Sequence, residues 1–358
     1  MPAGAKQVFD EARGWYNLYD APDRIKWVVG PGPHGTPLVL REAIYEWMIR
    51  WLKDGKGDWH EQPVNYVPAR MLSVTSKGQV ALEPGSRDVY QVIADTPKSP
   101  KSPAEMIAQI KTWVQYEKRA PVVKSDMVET HGIISVEQVV LETEPGLNIS
   151  LTFDTGTGGS GRKPTYLVLE SFPHAREVTN ALRNKGYVAA VLSVRGRPIP
   201  PNSSWPGDWI TNTRAWLIGR NLPGMRALDI LRAVDYLESR PDVDPAQIRV
   251  VASDVPGIWV LLAAAIDSRI SAVYLDRTPY TYKQALEGPL HANLHEAALP
   301  GFALHWDITD LAATMKGRKL VWHDPTDWMR NLVYAGDSFA YSTGNAPVEL
   351  WEMPDYLQ

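Results

Sequence analysis

From residue 131 onward the chain alternates between short apolar runs typical of buried strands and longer segments with helical spacing. Strands are predicted at 134–143, 148–154, 165–170, 188–194, 248–252, 270–275, 319–323 and 348–353, and helices at 175–184, 227–239, 257–265 and 308–316. This alternation predicts an α/β fold in which helices cover both faces of a mostly parallel central sheet. The chemistry of such folds lies at the carboxyl ends of the strands, so candidate residues are expected in the loops there.

The first 130 residues do not follow this alternation. Helices are predicted at 6–19, 38–52 and 104–116, and strand-like pieces at 24–29, 71–75 and 89–93, with a Pro-rich linker at 96–103. We therefore expect three parts. These are an N-terminal helix–strand–helix segment (1–70), a loop-rich connector (71–130) and an α/β core (131–358).

Composition excludes several function classes. The 358 residues include 37 Lys and Arg against 41 Asp and Glu, a net charge of −4, which argues against a nucleic-acid partner bound through a basic surface. With no cysteine, disulfide scaffolds, thiolate zinc sites and a cysteine nucleophile are excluded. The longest apolar run, 258–266, is far shorter than the roughly 18–20 residues of a membrane span, and the N-terminus lacks the layout of a secretory signal. We expect a soluble chain without a membrane partner, cofactor or metal; its compartment stays open.

The segment Ile248–Ala265 (IRVVASDVPGIWVLLAAA) reads as a strand, a tight turn of small residues and an Ala-rich helix. It resembles the nucleophile elbow of α/β hydrolases, which needs small residues on both sides of the nucleophile because the turn is so sharp. In that register Asp254, and not Ser253, stands at the nucleophile position. Three alternatives stay open here: a carboxylate nucleophile at Asp254, Ser253 acting from a shifted turn, or a vestigial elbow.

Other segments extend the resemblance. Tyr187–Arg197 resembles the strand and Arg-Gly loop of the dienelactone-hydrolase and acetyl xylan esterase branches, and the stretch from Asp307 to Asp327 is similar to their acid-bearing turn. The resemblance implies that Asp327 is the acid of a catalytic triad. The alternative for Asp327 is a helix N-cap. By position, Ser171-Phe172-Pro173-His174 would supply an oxyanion-hole backbone N–H.

The N-terminal segment resembles the end of the same kind of unit. Arg24–Gly35 is similar to the last strand and the catalytic His-Gly loop, and Leu40–Trp47 to the helix behind it. The chain as a whole thus resembles the second half of tandem acetyl xylan esterase-like proteins, preceded by the tail of a first unit. This implies His34 as the triad histidine if the segment folds back beside the core; the alternative is a leftover of an upstream domain. His323, at the end of the acid strand, is a substitute candidate whose alternative is a structural histidine.

The resemblance implies a carboxylic-ester hydrolase that acts on an acylated carbohydrate or a small ester, with Asp254, Ser253, Asp327 and His34 as its candidate catalytic residues. Two alternatives come from other classes: a catalytically silent hydrolase-fold binding module, and an Asp-nucleophile hydrolase of haloalkanes or epoxides. The expected partner is the ester substrate, with a homo-oligomer or a partner hydrolase unit as further expectations.

Overall fold

The computed structural model describes residues 3–131, 134–155, 161–196 and 209–333. Contacts within the chain divide it into two units, Met1–Pro84 and Gly85–Gln358. The expected division into 1–70, 71–130 and 131–358 has different boundaries and stays a prediction.

The N-terminal unit has two α-helices, α1 (Ala3–Leu18) and α2 (Leu38–Leu52), and short 3-10 helices at Pro22–Arg24, Ala69–Met71 and Val80–Leu82. The predicted strand at 24–29 is wrong. Ile25 has extended backbone angles, but a strand also needs a hydrogen-bonded neighbour, and no strand is found among the described residues of this unit. The α2 helix has the predicted bounds.

The C-terminal unit alternates helices with strands. Its helices are α3 (Val89–Ala94), α4 (Pro103–Val114), α5 (Ala175–Asn184), α6 (Trp209–Leu217), α7 (Leu222–Ser239), α8 (Pro256–Ile266) and α9 (Ile308–Ala313). Its strands are β1 (Val122–His131), β2 (Ile134–Glu144), β3 (Leu147–Thr155), β4 (Lys163–Leu169), β5 (Val188–Ser193), β6 (Val243–Ser253), β7 (Ile270–Asp276) and β8 (Lys319–His323).

The eight strands form one sheet in the order β1-β2-β3-β5-β4-β6-β7-β8. The strands β1, β2 and β3 form an antiparallel meander whose last member pairs antiparallel with β5. From β5 across to β8 all neighbours are parallel. The predicted mostly parallel sheet flanked by helices is confirmed, and its five parallel carboxyl ends lie along one edge.

The core lies on both faces of this sheet. The helices α7 and α8 are the most deeply buried. The sequence of α8 is apolar or small on every side, whereas α7 also buries four charged residues, Arg226, Asp229, Arg232 and Asp235. On the other face α5 packs through Val178 and Leu182 against Tyr166 and Val191. None of the helices in the described part of the chain is long and apolar enough to span a membrane.

Two predicted strands within residues 71–130 are wrong, and one strand there was not predicted. Residues 71–75 form the end of a 3-10 helix and a loop. The predicted strand at 89–93 is the helix α3, which begins with a capping box between Asp88 and Gln91. The strand β1 was not expected, because charged and apolar residues mix along it; its pairing with β2 defines it. The predicted last strand at 348–353 lies outside the described residues.

Candidate active site

The turn between β6 and α8 is sharp and strained. Asp254 follows the last residue of β6 directly and has a positive φ of 59°, a backbone region that few residues other than glycine adopt. Its N–H donates to the carbonyl of Asp276 at 2.9 Å, and its own carbonyl accepts the N–H of Gly257 at 3.0 Å. Asp254 is therefore held at the tip of a tight strand-to-helix turn.

A buried threonine from the next strand fixes this turn. The hydroxyl of Thr278, just after β7, donates to the carbonyl of Asp254 at 2.9 Å. The approach is so close that a Cβ added at Gly257 would lie 2.1 Å from the Thr278 Oγ1. The φ of Gly257 is not in the left-handed region. Glycine is therefore required here by the close packing against Thr278 and not by the backbone conformation.

The Asp254 carboxylate is paired with an arginine from the loop after β8. The Arg330 Nη2 donates to the Asp254 Oδ2 at 2.8 Å, and the two side chains are 54% and 31% exposed. Arg330 has a φ of 67°. The loop that carries it lies beside the loop after β7, where Thr326 donates from its N–H to the carbonyl of Thr278. The pair is open to solvent and therefore to a ligand.

Next to the elbow, three side chains meet across three strands. In the register of the sheet Ser253 pairs with Asp276, and Asp276 pairs with His323. The Ser253 hydroxyl donates to the Asp276 Oδ2 at 3.3 Å, and the His323 Nδ1 lies 2.9 Å from the Asp276 Oδ1. One carboxylate thus joins the serine to the histidine.

The Asp327 carboxylate accepts hydrogen bonds from residues of its own turn. The backbone N–H groups of Met329 and Asn331 donate to its Oδ1 at 2.8 and 2.9 Å, and the Asn331 side chain donates to its Oδ2 at 2.9 Å. Burial raises the pKa of Asp327, but these hydrogen bonds outweigh it and hold the pKa below its ordinary value. The residues after it form a turn and a short bridge rather than a helix, so Asp327 organises a loop.

The fold has a match among solved structures. A candidate acetyl xylan esterase from Bacteroides fragilis NCTC 9343 is similar with a TM-score of 0.54 and 10% sequence identity, over 70% of this chain and 75% of that chain. The chain has the α/β-hydrolase fold. No protein-family model matches the chain, and no curated protein matches its sequence.

Two further solved structures match with lower TM-scores. Acetyl xylan esterase 1 from Thermoanaerobacterium sp. JW/SL YS485 has a TM-score of 0.43 and 14% identity, over 68% of this chain and 83% of that chain. An acetyl xylan esterase from Paenibacillus sp. R4 has a TM-score of 0.40 and 20% identity, over 64% of this chain and 73% of that chain.

The α/β-hydrolase fold places its nucleophile on the strand-to-helix turn that Asp254 occupies here. Ser253 is the buried last residue of β6, and its hydroxyl is used on Asp276. Asp327 lies in the loop after β8, near the Arg330 that contacts Asp254. These three residues belong to the C-terminal unit, whereas His34 lies in a bend of the N-terminal unit. The role of His34 stays a prediction.

Left-handed backbone conformations are concentrated at the carboxyl edge of this sheet. Non-glycine residues with positive φ follow four of the five parallel strands: His174, Asp254, Arg277, Asp324 and Arg330. Such conformations persist only where the surrounding structure enforces them, and they cluster at functional sites. The loop 171–174 follows β4, and β4 neighbours β6 in the sheet. The loop therefore follows the strand next to the one that leads into the elbow, which is the position expected for an oxyanion-hole loop.

Metal-ligand groups do not occur here: among the described residues no three His, Asp or Glu side chains are placed to hold a metal ion. Two histidines lie four residues apart in the sequence: the Nε2 of His291 contacts the carbonyl of Ala285, and His295 lies in the short 3-10 helix Leu294–Glu296. The two are not on one α-helix.

Sequence reasoning missed three residues of this edge: Thr278, Asp276 and Arg330. A signal for Asp276 exists, because a charged residue ends the apolar run ISAVYLD at the carboxyl end of a parallel strand. Arg330 and Thr278 carry no such signal. Both act through contacts between loops that follow different strands.

Proposed function

We propose that this α/β-hydrolase-fold chain hydrolyses carboxylic esters, of an acylated carbohydrate or a small ester, at the elbow formed by Asp254. The observation that carries the proposal is the strained position of Asp254, with φ 59°, beside an exposed Arg330. A charge held at the tip of a nucleophile elbow and open to solvent is placed to meet a substrate. The substrate class is supported by the similar Bacteroides structure, itself a candidate acetyl xylan esterase.

Ester chemistry fits an ion pair at this position when water is the attacking group. Attack by the Asp254 carboxylate on an ester would form an anhydride, which is more reactive than the ester, whereas attack by water forms no such intermediate. The Nη2 of Arg330 donates to Asp254. Within the described residues the other side-chain N–H groups of Arg330 make no hydrogen bond, so they are available to the developing oxyanion. The backbone N–H of Val255, the residue after the nucleophile position, is the donor that the elbow itself offers.

A second candidate is a catalytically silent binding module. This candidate is favoured because, within the described ranges, the side chain that contacts the Asp254 carboxylate is an arginine and not a histidine. In this alternative the Asp254–Arg330 pair serves to hold the loop after β8 against the elbow. It predicts the same fold and ligand access without turnover.

Hydrolysis of p-nitrophenyl acetate, p-nitrophenyl butyrate and acetylated xylan distinguishes the two candidates. We expect turnover by the full chain and none by the double variant that carries both Ser253→Ala and Asp254→Ala. We expect Arg330→Gln to lower kcat by about 10²–10³-fold, the usual loss for one oxyanion donor. The matched control is Arg183→Gln, which removes an arginine at the end of α5, at the amino end of β5. Asp254→Asn serves as a fold control, because asparagine also tolerates positive φ.

If the wild-type chain turns over these esters no faster than the double variant does, the esterase proposal is refuted and the silent binding module remains. A 1-haloalkane and an epoxide belong on the same panel. Their turnover without ester turnover would instead identify a carboxylate nucleophile that attacks an alkyl carbon.

A further inference from the structure

The chain has a second acid–histidine arrangement beside the elbow, between the ends of β7 and β8. Asp276 and His323 are register partners on neighbouring parallel strands, with Oδ1 and Nδ1 2.9 Å apart. Asp276 is mostly buried, at 15% exposure, whereas His323 is 46% exposed. The carboxylate is thus sheltered, and the imidazole is exposed to solvent.

The contact fixes the protonation pattern of the histidine. An ionised carboxylate only accepts hydrogen bonds, so the Nδ1 that contacts Asp276 carries the proton, and the lone pair of the neutral imidazole lies on Nε2. This is the form a general base requires, and a buried carboxylate on Nδ1 also stabilises the imidazolium formed after proton uptake. The Nε2 lies 3.9 Å from the Oδ1 of Asp324.

Backbone hydrogen bonds tie this pair to the elbow. Asp254 donates from its N–H to the carbonyl of Asp276, and Arg277 donates from its N–H to the carbonyl of His323 at 3.0 Å. The Ser253 hydroxyl, immediately before the elbow, uses its hydrogen on the second oxygen of Asp276. Ser253 therefore helps to orient the carboxylate that holds the histidine.

We propose that His323 is the general base of the ester hydrolysis proposed above, and that Asp276 is its positioning residue. The inference rests on that proposed function. The acid then comes from the end of β7 and the histidine from the end of β8, and neither Asp327 nor His34 is needed for the proton transfer.

The step balances as follows. Water oxygen bonds to the acyl carbon, the carbonyl electron pair moves to oxygen, and a water proton moves to the His323 Nε2. The oxyanion collapses, the bond from the acyl carbon to the alcohol oxygen breaks, and the proton passes from Nε2 to the departing alkoxide. A carboxylic acid and an alcohol leave, and no oxidant or other co-reactant is consumed.

The test measures kcat and KM of the full chain on p-nitrophenyl acetate. We expect His323→Ala to lower kcat by about 10²–10⁴-fold with little change in KM. Added imidazole should restore part of the lost kcat, because it replaces the missing base. Asp276→Asn should lower kcat in the same range, since it removes the group that sets the tautomer. The matched control is His305→Gln, a histidine whose Nδ1 contacts the backbone carbonyl of Ser99 instead of a carboxylate.

If His323→Ala does not fold, His323→Gln decides the question, because glutamine can keep a hydrogen bond to Asp276. A variant of His323 that folds and keeps its kcat, or a lost kcat that imidazole does not restore in a folded alanine variant, would overturn this inference while the ester proposal stands. A wild-type chain without ester turnover would overturn both.

Discussion

The two units of this chain differ in what they do with their apolar side chains. In the N-terminal unit no described residue is buried, and the first buried residue in the described part of the chain is Met106. The helix α2 carries Ile44, Trp47 and Met48 on one face and buries none of them, whereas α8 buries its residues from Pro256 to Ala264. Helical periodicity therefore predicts that a helix forms, but it does not predict what that helix packs against.

The difference assigns the stability of the chain to the C-terminal unit. Burial of apolar surface is the dominant favourable contribution to folding, and the described residues of the N-terminal unit contribute little of it. Equal substitutions in the two units should therefore have unequal effects, and the following three measurements test that expectation.

The largest contrast is expected between two tryptophans. Trp259 is 1% exposed and donates from its Nε1 to the carbonyl of Glu296, whereas Trp15 is 65% exposed. We expect Trp259→Ala to lower the free energy of unfolding by about 3–5 kcal/mol and Trp15→Ala to change it by less than about 0.5 kcal/mol. Urea unfolding followed by circular dichroism measures both. Comparable losses would show that the N-terminal unit depends on its own packing.

A smaller contrast, of opposite sign, is expected between two glycines. Gly257→Ala must displace Thr278 and should destabilise by about 1–3 kcal/mol, the usual cost of overpacking. Gly14 lies inside α1 with nothing near its added Cβ, so Gly14→Ala should stabilise that helix by about 0.5–1 kcal/mol. Thermal melts of the two variants against wild type provide the measurement. A stabilising Gly257→Ala would contradict the close contact at the elbow.

The smallest contrast concerns two glutamates. The hydrogen bond from Arg41 lowers the pKa of Glu61 in the N-terminal unit. For Glu144, burial raises the pKa, but Arg220 and Arg195 outweigh it and the pKa is lowered. Raising the salt to ~1 M should return the pKa of Glu61 toward its ordinary value and move that of Glu144 less, because the Arg41 partner is the more exposed arginine. Carboxyl NMR titration of ¹³C-glutamate measures both.

The same pKa shifts set a direction for stability against pH. Both folded-state pKa values lie below the unfolded ones, so the stability contributed by these carboxylates is present above the unfolded pKa and is lost as the pH falls through the folded pKa. If added salt shifts the pKa values of Glu61 and Glu144 equally, the expected difference in the screening of their ion pairs is contradicted.

The sequence was sufficient for most of the C-terminal architecture. The buried-type runs predicted the bounds of β4 to β8 to within two residues, because parallel strands covered on both faces are largely apolar. The exception is the start of β6, which lies five residues before the predicted one because its first residues do not form an apolar run. The misassigned elements are those without such a signal. The strand at 24–29 depended on a pairing partner that local pattern cannot supply, and α3 depended on a cap at Asp88.

For the site, prediction reached the residues that local turn geometry determines. Asp254 was placed from the small residues around it, and the structure puts it at the tip of that turn. The contacts of Asp254, Asp276 and His323 depend instead on sheet register and on loops distant in sequence. No local pattern encodes which strand end neighbours which.

The left-handed backbone along the carboxyl edge has a consequence for anyone who engineers this protein. Holding a non-glycine residue in that region costs of order 1–2 kcal/mol, and Arg277, Asp324 and Arg330 all lie there without being glycine. Glycine at Arg277 or Asp324 would relieve this cost, although a more flexible unfolded chain offsets part of the gain. Thermostabilising changes are thus available at the same edge where the candidate chemistry lies.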